Sequence, residues 1–290
     1  MNLQTFDALR RTVETRSGPV SYVDVGVGPI SLFVHGVGMN SFLWRNVIAG
    51  LGDERRCIAL DLPLHGHTPA RPDQDFSLPG LATVVEDFCD ALDLHDIDLV
   101  GNDTGGAVCQ VFAARFSHRL QSMVLTNCDT HDNLPPEEFQ PTVDLAARGE
   151  LAPTAVQLAD TPELAREVVF ASTYEHPERL SDDEVRAFLV PVVGTTEVGK
   201  QFERLLVSLR AEDLLAAEPA LHRLSVPTLI VWGTADTFFE LSWAYWLRDN
   251  IAGATGVVEI PGARLFFPDE RAADWLPHLR HHWSAYRRVA

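Results

Sequence analysis

The residues best suited to chemistry lie in the segment 99–107, which reads Leu-Val-Gly-Asn-Asp-Thr-Gly-Gly-Ala. An apolar strand runs there into Gly-x-Asp-x-Gly-Gly and then into a helix, and the glycines permit a sharp turn close to the sheet. Asp103 at the apex would lie beside backbone N–H groups at a helix N-terminus. A carboxylate held there can attack saturated carbon and form an ester intermediate. The alternative is an Asx turn or a helix N-cap, because aspartate favours both positions.

Two more segments carry recognisable motifs. Residues 33–38 read Phe-Val-His-Gly-Val-Gly, and residues 61–68 read Asp-Leu-Pro-Leu-His-Gly-His-Thr. Together with the Asp103 turn they resemble the α/β-hydrolase superfamily, in the branch that contains haloalkane dehalogenases and epoxide hydrolases. Segment 61–68 departs from that branch's Asp-x-Pro-Gly-His-Gly-x-Ser pattern at Leu64 and Thr68. The resemblance covers residues 20–126 and residue 226 to the end, and it leaves the middle of the chain uncovered.

The resemblance implies an oxyanion hole formed by the backbone N–H groups of Val37 and Thr104, which would stabilise a tetrahedral intermediate during ester hydrolysis. Backbone donors do not depend on the side chain, so this expectation survives the local substitutions. The two histidines of these motifs, His35 and His65, are expected to be structural.

The remaining members of the implied triad follow in the order nucleophile, acid, histidine. Residues 231–236, Val-Trp-Gly-Thr-Ala-Asp, match the post-strand Gly-x-x-Asp of the family, so Asp236 is the candidate acid; turn chemistry is the alternative. The loop 261–270 aligns with the family's Gly-x-x-His-x-x-x-x-Glu, and Leu265 occupies the histidine position. Leucine can neither accept a proton nor orient a water molecule. The usual base for ester hydrolysis is therefore missing.

Three hypotheses accommodate this loss. His131, just beyond a predicted strand end and flanked by Asp129 and Asp132, is a possible substitute base, with His67 as a weaker one; a polar loop histidine is the alternative. Asp103 could instead be a general base whose pKa is raised by desolvation. Finally, the pocket could only bind a ligand.

Leaving-group stabilisers give a further expectation. The dehalogenases commonly place Trp after the nucleophile, and several place Asn just after His-Gly; here Thr104 and Val37 stand there, with Asn40 further on. Epoxide hydrolases use two lid tyrosines, whereas the middle segment here has only Tyr174. Asn40, Tyr174 and Leu265 are the expected pocket residues. The apolar residues of the middle segment could line a cavity or simply pack the lid.

Short apolar runs alternate with helical periodicity, as in a mostly parallel sheet covered by helices. Strands are predicted at 20–25, 30–34, 56–60, 97–100, 123–126, 227–232 and 257–260. Helices are predicted at 41–51, 81–92, 107–116, 243–249 and 272–286. The pattern predicts an α/β-hydrolase fold with core segments 1–129 and 218–290 and a helical cap insert, 130–217, which would act as a lid over the carboxyl ends of the strands.

Composition bounds the function classes. The 290 residues are 46% hydrophobic and 22% charged, with a formal net charge of −18. Such an acidic surface repels nucleic acid and anionic lipid, so neither is an expected partner. No apolar run suggests a membrane span, the start lacks a signal-peptide pattern, and four scattered cysteines suggest reduced thiols; a cytoplasmic protein is expected.

The leading hypothesis is a hydrolase of the dehalogenase and epoxide-hydrolase branch. It would act on a small apolar epoxide or alkyl halide through an ester on Asp103, without metal or cofactor. The alternative is a lyase, an isomerase or a ligand-binding protein that kept the fold and lost the triad.

Overall fold

An eight-stranded sheet forms the centre of the computed structural model, which describes residues 1–286. The strands are β1 Arg10–Thr15, β2 Gly18–Val25, β3 Ile30–Val34, β4 Arg56–Leu60, β5 Ile97–Asn102, β6 Leu120–Thr126, β7 Thr228–Gly233 and β8 Ala254–Ile260. Their order in the sheet is β1-β2-β4-β3-β5-β6-β7-β8. The pairs β1–β2 and β2–β4 are antiparallel, and all the others are parallel. This architecture confirms the predicted fold class.

Helices cover the sheet and connect its strands. They are α1 Leu3–Asp7, α2 Arg45–Leu51, α3 Leu78–Ala91, α4 Thr104–Phe116, α5 Gln140–Ala147, α6 Leu151–Asp160, α7 Pro162–Ala165, α8 Asp182–Val193, α9 Thr196–Ser208, α10 Ala211–Leu221, α11 Leu241–Asn250, α12 Phe267–Glu270 and α13 Ala272–Tyr286. Within the described residues, no helix is long and apolar enough to cross a membrane.

The central strands are apolar runs because both faces of the sheet are covered. Every residue of β5 and of β7 is buried, as expected for parallel strands between helix layers. The edge strand β1 alternates half-buried and exposed residues. Its sequence, Arg-Arg-Thr-Val-Glu-Thr, is correspondingly polar, and the strand was missed in the sequence analysis.

Helices α5 to α9 are inserted between β6 and β7 and pack on one another, notably α6 against α8 and α9. The boundary predicted at residue 217 falls inside α10. That helix packs on α4 of the sheet layer rather than on the inserted helices, with Leu214, Ala217 and Leu221 buried. The chain therefore returns to the core at α10, before the predicted boundary.

Candidate active site

A tight turn between β5 and α4 places Asp103 at the carboxyl end of the sheet. Asp103 has φ of 55° and ψ of −138°, a left-handed conformation that a non-glycine residue adopts at a cost. Its backbone N–H donates to the Asn127 carbonyl at 2.8 Å, and its carbonyl accepts from the Gly106 N–H at 2.8 Å. A Cβ on Gly105 would lie 2.4 Å from the His35 carbonyl oxygen, so only glycine lets α4 approach this loop. The turn is the one that the glycine pattern predicted.

Two backbone N–H groups donate to the Asp103 carboxyl group. The Val37 N–H donates to Oδ2 at 2.9 Å, and the Thr104 N–H also donates to this carboxyl group. A Cβ on Gly36 would lie 2.1 Å from Oδ2, so glycine is required for the His-Gly loop to come this close. These are the two donors expected for an oxyanion hole.

The charge of Asp103 is set by opposing influences. Burial raises its pKa well above the usual range, and the neighbouring carboxyls of Asp129 and Asp236 raise it further. The N–H groups of Thr104 and Val37 act in the opposite direction, since they stabilise the carboxylate. The site thus contains a carboxyl group that changes charge closer to neutral pH than an ordinary aspartate does.

Asp129 is a second buried carboxyl group beside the turn. Its Oδ2 accepts from the Thr104 hydroxyl at 2.8 Å, and its carbonyl accepts from Gln110 Nε2 at 2.9 Å. Burial raises the pKa of Asp129 to about 7, against the opposing effect of the Thr104 hydrogen bond. Thr104 therefore joins the two carboxyls, because its N–H donates to Asp103 and its hydroxyl to Asp129.

Asp236, the candidate acid, follows β7 and is tied to the turn through Asn127. Asn127 Nδ2 donates to Asp236 Oδ2 at 2.7 Å, and the Phe238 N–H donates to Oδ1 at 2.8 Å. Burial raises the pKa of Asp236 to about 6, and these hydrogen bonds oppose the rise. Both oxygens are thus engaged by amide donors, where a triad acid would orient an imidazole.

Leu265 lies in the loop between β8 and α12, as the alignment of that loop implied. Its carbonyl accepts from Asn102 Nδ2 at 3.1 Å, which joins the loop to the last residue of β5. The side chain is buried and lines the same cavity as Asp103. The loop position where the family places histidine is thus occupied by a hydrocarbon side chain.

A cavity of about 720 Å³ lies between the inserted helices and the sheet. Asp103, Thr104, Asp129 and Leu265 line it from the sheet side, and the inserted helices contribute apolar residues, among them Val143, Leu158, Leu189, Phe202 and Leu206. Its titratable groups, in the part of the chain described, are Asp103, Asp129 and the exposed Glu138; no histidine, lysine or arginine lines it. The cavity is mainly apolar with two carboxyls on its sheet side.

His131 does not line this cavity, so the structure does not bring the proposed substitute base to Asp103. Its Nδ1 is bonded to Glu218 Oε1, and its ring stacks on Trp246 with centroids 4.8 Å apart. The backbone at His131 has φ of 57°, and this left-handed turn and the α10 carboxylate direct the side chain to the surface.

Tyr174 and Asn40 are likewise outside the cavity, contrary to expectation. The Tyr174 hydroxyl donates to Asp269 Oδ2 at 3.1 Å, and Arg45 pairs with the same oxygen at 2.7 Å. Asn40 Nδ2 donates to the Ala187 carbonyl at 2.7 Å. These side chains do not reach the cavity because each forms a hydrogen bond between the inserted helices and the core.

The two motif histidines accept hydrogen bonds from backbone N–H groups. His35 Nε2 accepts from the Leu62 N–H at 2.9 Å, and His65 Nε2 accepts from the Gly38 N–H at 3.2 Å. Burial lowers the pKa of His35 to about 4 and that of His65 to about 3, so both are neutral. His67 is exposed and does not line the cavity.

Asp129 was predicted only as a partner for His131, and Asn127 was not predicted to be a site residue. Both follow directly on β6, where the carboxyl ends of neighbouring parallel strands meet at one edge of the sheet. The polar residues of the segment Asn-Cys-Asp, which directly follows this strand, could have indicated both of them.

Comparisons with known proteins agree with this architecture. The family model described as alpha/beta hydrolase fold matches residues 31–270. Haloalkane dehalogenase 2 of Mycobacterium tuberculosis (strain H37Rv) is 26% identical over 265 residues, which cover 90% of this chain and 90% of that protein. A haloalkane dehalogenase of Mesorhizobium japonicum is 37% identical over 112 residues, covering 38% of this chain and 36% of its own.

Solved structures share the fold at lower identity. An alpha/beta hydrolase fold protein from Burkholderia ambifaria has a TM-score of 0.80 and 20% identity, covering 93% of this chain and 97% of its own. Haloalkane dehalogenase DbeA from Bradyrhizobium elkani has a TM-score of 0.76 and 19% identity, covering 94% and 98%. The sheet order, the Asp103 turn and the family match together establish that the chain belongs to the α/β-hydrolase fold family, with haloalkane dehalogenases among its relatives at low identity.

Proposed function

We propose that this chain is a hydrolase of small apolar epoxides or alkyl halides that acts through an ester on Asp103. The observation that carries the proposal is the position of the Asp103 carboxylate. Its Oδ2 accepts the Val37 N–H, the Thr104 N–H donates to the same carboxyl group, and the residue lines a mainly apolar cavity. With Oδ2 held, Oδ1 is the oxygen that remains to attack carbon.

The same donors suit the second half of the reaction. Once Oδ1 is alkylated, Oδ2 is the carbonyl oxygen of the ester and keeps its hydrogen bond from Val37, with the Thr104 N–H directed at the same group. Attack of water on the carbonyl carbon turns Oδ2 into an oxyanion, which two preorganised N–H groups stabilise. A buried carboxylate in this pocket is therefore equipped both to form an ester and to have that ester hydrolysed.

The cavity supports an apolar, uncharged substrate. Its volume of about 720 Å³ lies within the usual size of small-molecule pockets. The lining holds acidic groups and no cationic side chain among the described residues, which disfavours anionic substrates. Relatives named as haloalkane dehalogenases act on a class of small organic molecule that fits this description.

The test is intact-protein mass spectrometry after incubation with a panel of epoxides and alkyl halides, together with product analysis. The proposal expects a covalent adduct that maps to Asp103, or turnover, for at least one compound. Asp103→Asn is the matched control, because it keeps the shape of the side chain and loses the nucleophile. Absence of both adduct and turnover across the panel contradicts the proposal.

One observation favours a second candidate, a lyase, an isomerase or a ligand-binding protein. Leu265 stands where the family places histidine and lines the same cavity as Asp103, and no imidazole lines that cavity in the described part of the chain. A buried carboxyl with a raised pKa would then act as a general base or as a polar anchor. Thermal stabilisation by an apolar compound that forms no adduct and undergoes no hydrolysis would favour this candidate.

A further inference from the structure

The two carboxyl groups of the cavity are held by one residue. The Thr104 N–H donates to the carboxyl of Asp103, and the Thr104 hydroxyl donates to Asp129 Oδ2 at 2.8 Å. Both aspartates line the cavity on the side of the sheet. The two carboxyl groups are therefore bridged by Thr104 and face the same cavity.

We propose that the substrate is an epoxide, and that Asp129 donates the proton in ring opening and accepts the proton of water in ester hydrolysis. This inference rests on the proposed function, since it assigns the proton donor and acceptor of that same site. A single carboxyl can serve as acid in one step and as base in the next.

Ring opening uses the protonated form of Asp129. Oδ1 of the Asp103 carboxylate attacks an epoxide carbon, the carbon–oxygen bond of the ring breaks, and its electron pair goes to the epoxide oxygen. Asp129 donates its proton to that oxygen. The products are a hydroxyalkyl ester on Asp103 and a carboxylate on Asp129.

Hydrolysis uses the carboxylate form. Water attacks the ester carbonyl carbon, its proton goes to Asp129, and Oδ2 becomes an oxyanion that the Val37 N–H stabilises, with the Thr104 N–H directed at the same group. Collapse breaks the bond between Oδ1 and the carbonyl carbon, and the departing diol oxygen takes the proton from Asp129. The Asp103 carboxyl now holds one proton and Asp129 none, and transfer of this proton from Asp103 to Asp129 restores the state from which ring opening begins.

The lining of the cavity favours an epoxide over a halide. A departing halide is an anion, and the described lining residues offer it no lysine, arginine, tryptophan or asparagine side chain, only hydroxyl groups. Two carboxyls nearby would repel it in an apolar medium. Epoxide opening releases no ion, and it requires a proton donor where Asp129 lies.

The other titratable neighbours are less well placed. Asp236 does not line the cavity, and its oxygens accept from Asn127 and Phe238. His131 is paired with Glu218 at the surface. Burial raises the pKa of Asp129 to about 7, which suits a group that must give and take a proton near neutral pH.

The experiment compares styrene oxide with benzyl bromide, an activated halide whose displacement needs no proton donor. The Asp103 adduct is mapped by peptide mass spectrometry, and formation of the diol is followed in the same samples. The wild-type protein tests the proposed function: it should hydrolyse styrene oxide or carry its adduct on Asp103, and Asp103→Asn should do neither.

Asp129→Asn tests the present inference. We expect its turnover of styrene oxide to fall by about a hundred- to ten-thousand-fold. Benzylation of Asp103 should persist within about threefold of wild type, a range well below the loss of a general acid, and the benzyl ester should accumulate. Asp132→Asn, the same change at an exposed site in the same loop, is the matched control and should behave as wild type.

Thr104→Val provides a second variant, because it removes the hydroxyl bonded to Asp129 and keeps the N–H bonded to Asp103. Thr104→Val should also turn over less styrene oxide while Asp103 is still benzylated, and its loss should be smaller than that of Asp129→Asn. Unchanged styrene oxide turnover in Asp129→Asn would overturn the inference, and so would an equal loss with both reagents. Failure of the proposed function would appear instead in the wild type, as no adduct and no diol.

Discussion

Two buried carboxyl groups with the same raised pKa should respond to neutralisation to different extents. Burial raises the pKa of Asp129 and of Asp269 to about 7. Asp269 pairs with Arg45 at 2.7 Å, whereas in the described part of the chain no cationic side chain pairs with Asp129. We expect Asp129→Asn to stabilise the protein clearly at pH 8, and Asp269→Asn to stabilise it much less, because the loss of the Arg45 ion pair offsets the ionisation cost that is avoided.

The magnitude for Asp129 follows from linkage between protonation and folding. A carboxyl whose pKa is higher in the folded state stabilises the fold fully below its unfolded pKa, and this contribution is lost as the pH rises through the folded pKa. The rise from 3.8 to about 7 corresponds to about 4 kcal/mol, at about 1.4 kcal/mol per pKa unit. The cost of ionising Asp129 therefore develops between about pH 4 and pH 7 and is fully present at pH 8.

Asparagine avoids this cost and can still accept the Thr104 hydroxyl hydrogen bond. The free energy of unfolding of Asp129→Asn should exceed that of wild type by up to about 4 kcal/mol at pH 8, with the difference vanishing near pH 4. At Asp269 the same change leaves Arg45 buried, with Glu184 3.6 Å away as its remaining ion-pair partner. Breaking such a pair costs about 3 kcal/mol.

The assay is urea unfolding at pH 5 and pH 8, followed by tryptophan fluorescence, for the wild type and both variants. Equal slopes against urea show that stability, rather than the extent of unfolding, has changed. If Asp129→Asn were less stable than wild type at pH 8, Asp129 would not be a buried carboxyl that resists ionisation. A raised pKa would then no longer support Asp129 as the group that donates and accepts the proton.

Three further predictions concern the reaction. Leu265→His should shorten the lifetime of the Asp103 ester by about a hundredfold or more, since an imidazole there could activate water; an unchanged lifetime in a stopped-flow or quench experiment contradicts this. His131→Ala should leave styrene oxide turnover within about twofold of wild type, because the ring is hydrogen-bonded to Glu218 and does not line the cavity. Loss of a general base would lower turnover about a hundredfold, and a loss of that size would show that His131 takes part in the reaction. The rate of Asp103 benzylation should rise with pH beyond the ordinary carboxyl range of about 4, because its raised pKa keeps part of the carboxyl protonated; a flat profile above about pH 5 contradicts this.

The sequence predicts the fold well where the pattern is local. The parallel strands are short apolar runs, and those at Ile30–Val34 and Arg56–Leu60 begin and end as predicted. The turn at Asp103 was readable because its glycines are required by close backbone contacts, such as that of Gly105 with the His35 loop. The polar edge strand Arg10–Thr15 lacks an apolar run and was missed for that reason.

The candidate site was predictable in its backbone and not in its side chains. The positions of Val37, Thr104 and Leu265 follow from the motifs, because the chain path fixes them. The directions of Tyr174 and His131 depend on distant buried partners, Asp269 and Glu218, which no local pattern reveals. The same holds for Asp129, whose importance arises from its hydrogen bond to a residue 25 positions earlier in the chain.

Oxygen-18 water distinguishes an ester on Asp103 from direct attack of water on the substrate. A single turnover of styrene oxide with excess protein should place the label in the Asp103 carboxyl group, because water attacks the ester carbonyl and the diol leaves with Oδ1. The peptide containing Asp103 should then carry one oxygen-18 in place of an oxygen-16 and be heavier by the difference between the two isotopes, and the first diol formed should carry no label. Label found directly in that diol, with an unlabelled Asp103, would show that water attacks the substrate itself and would contradict the account.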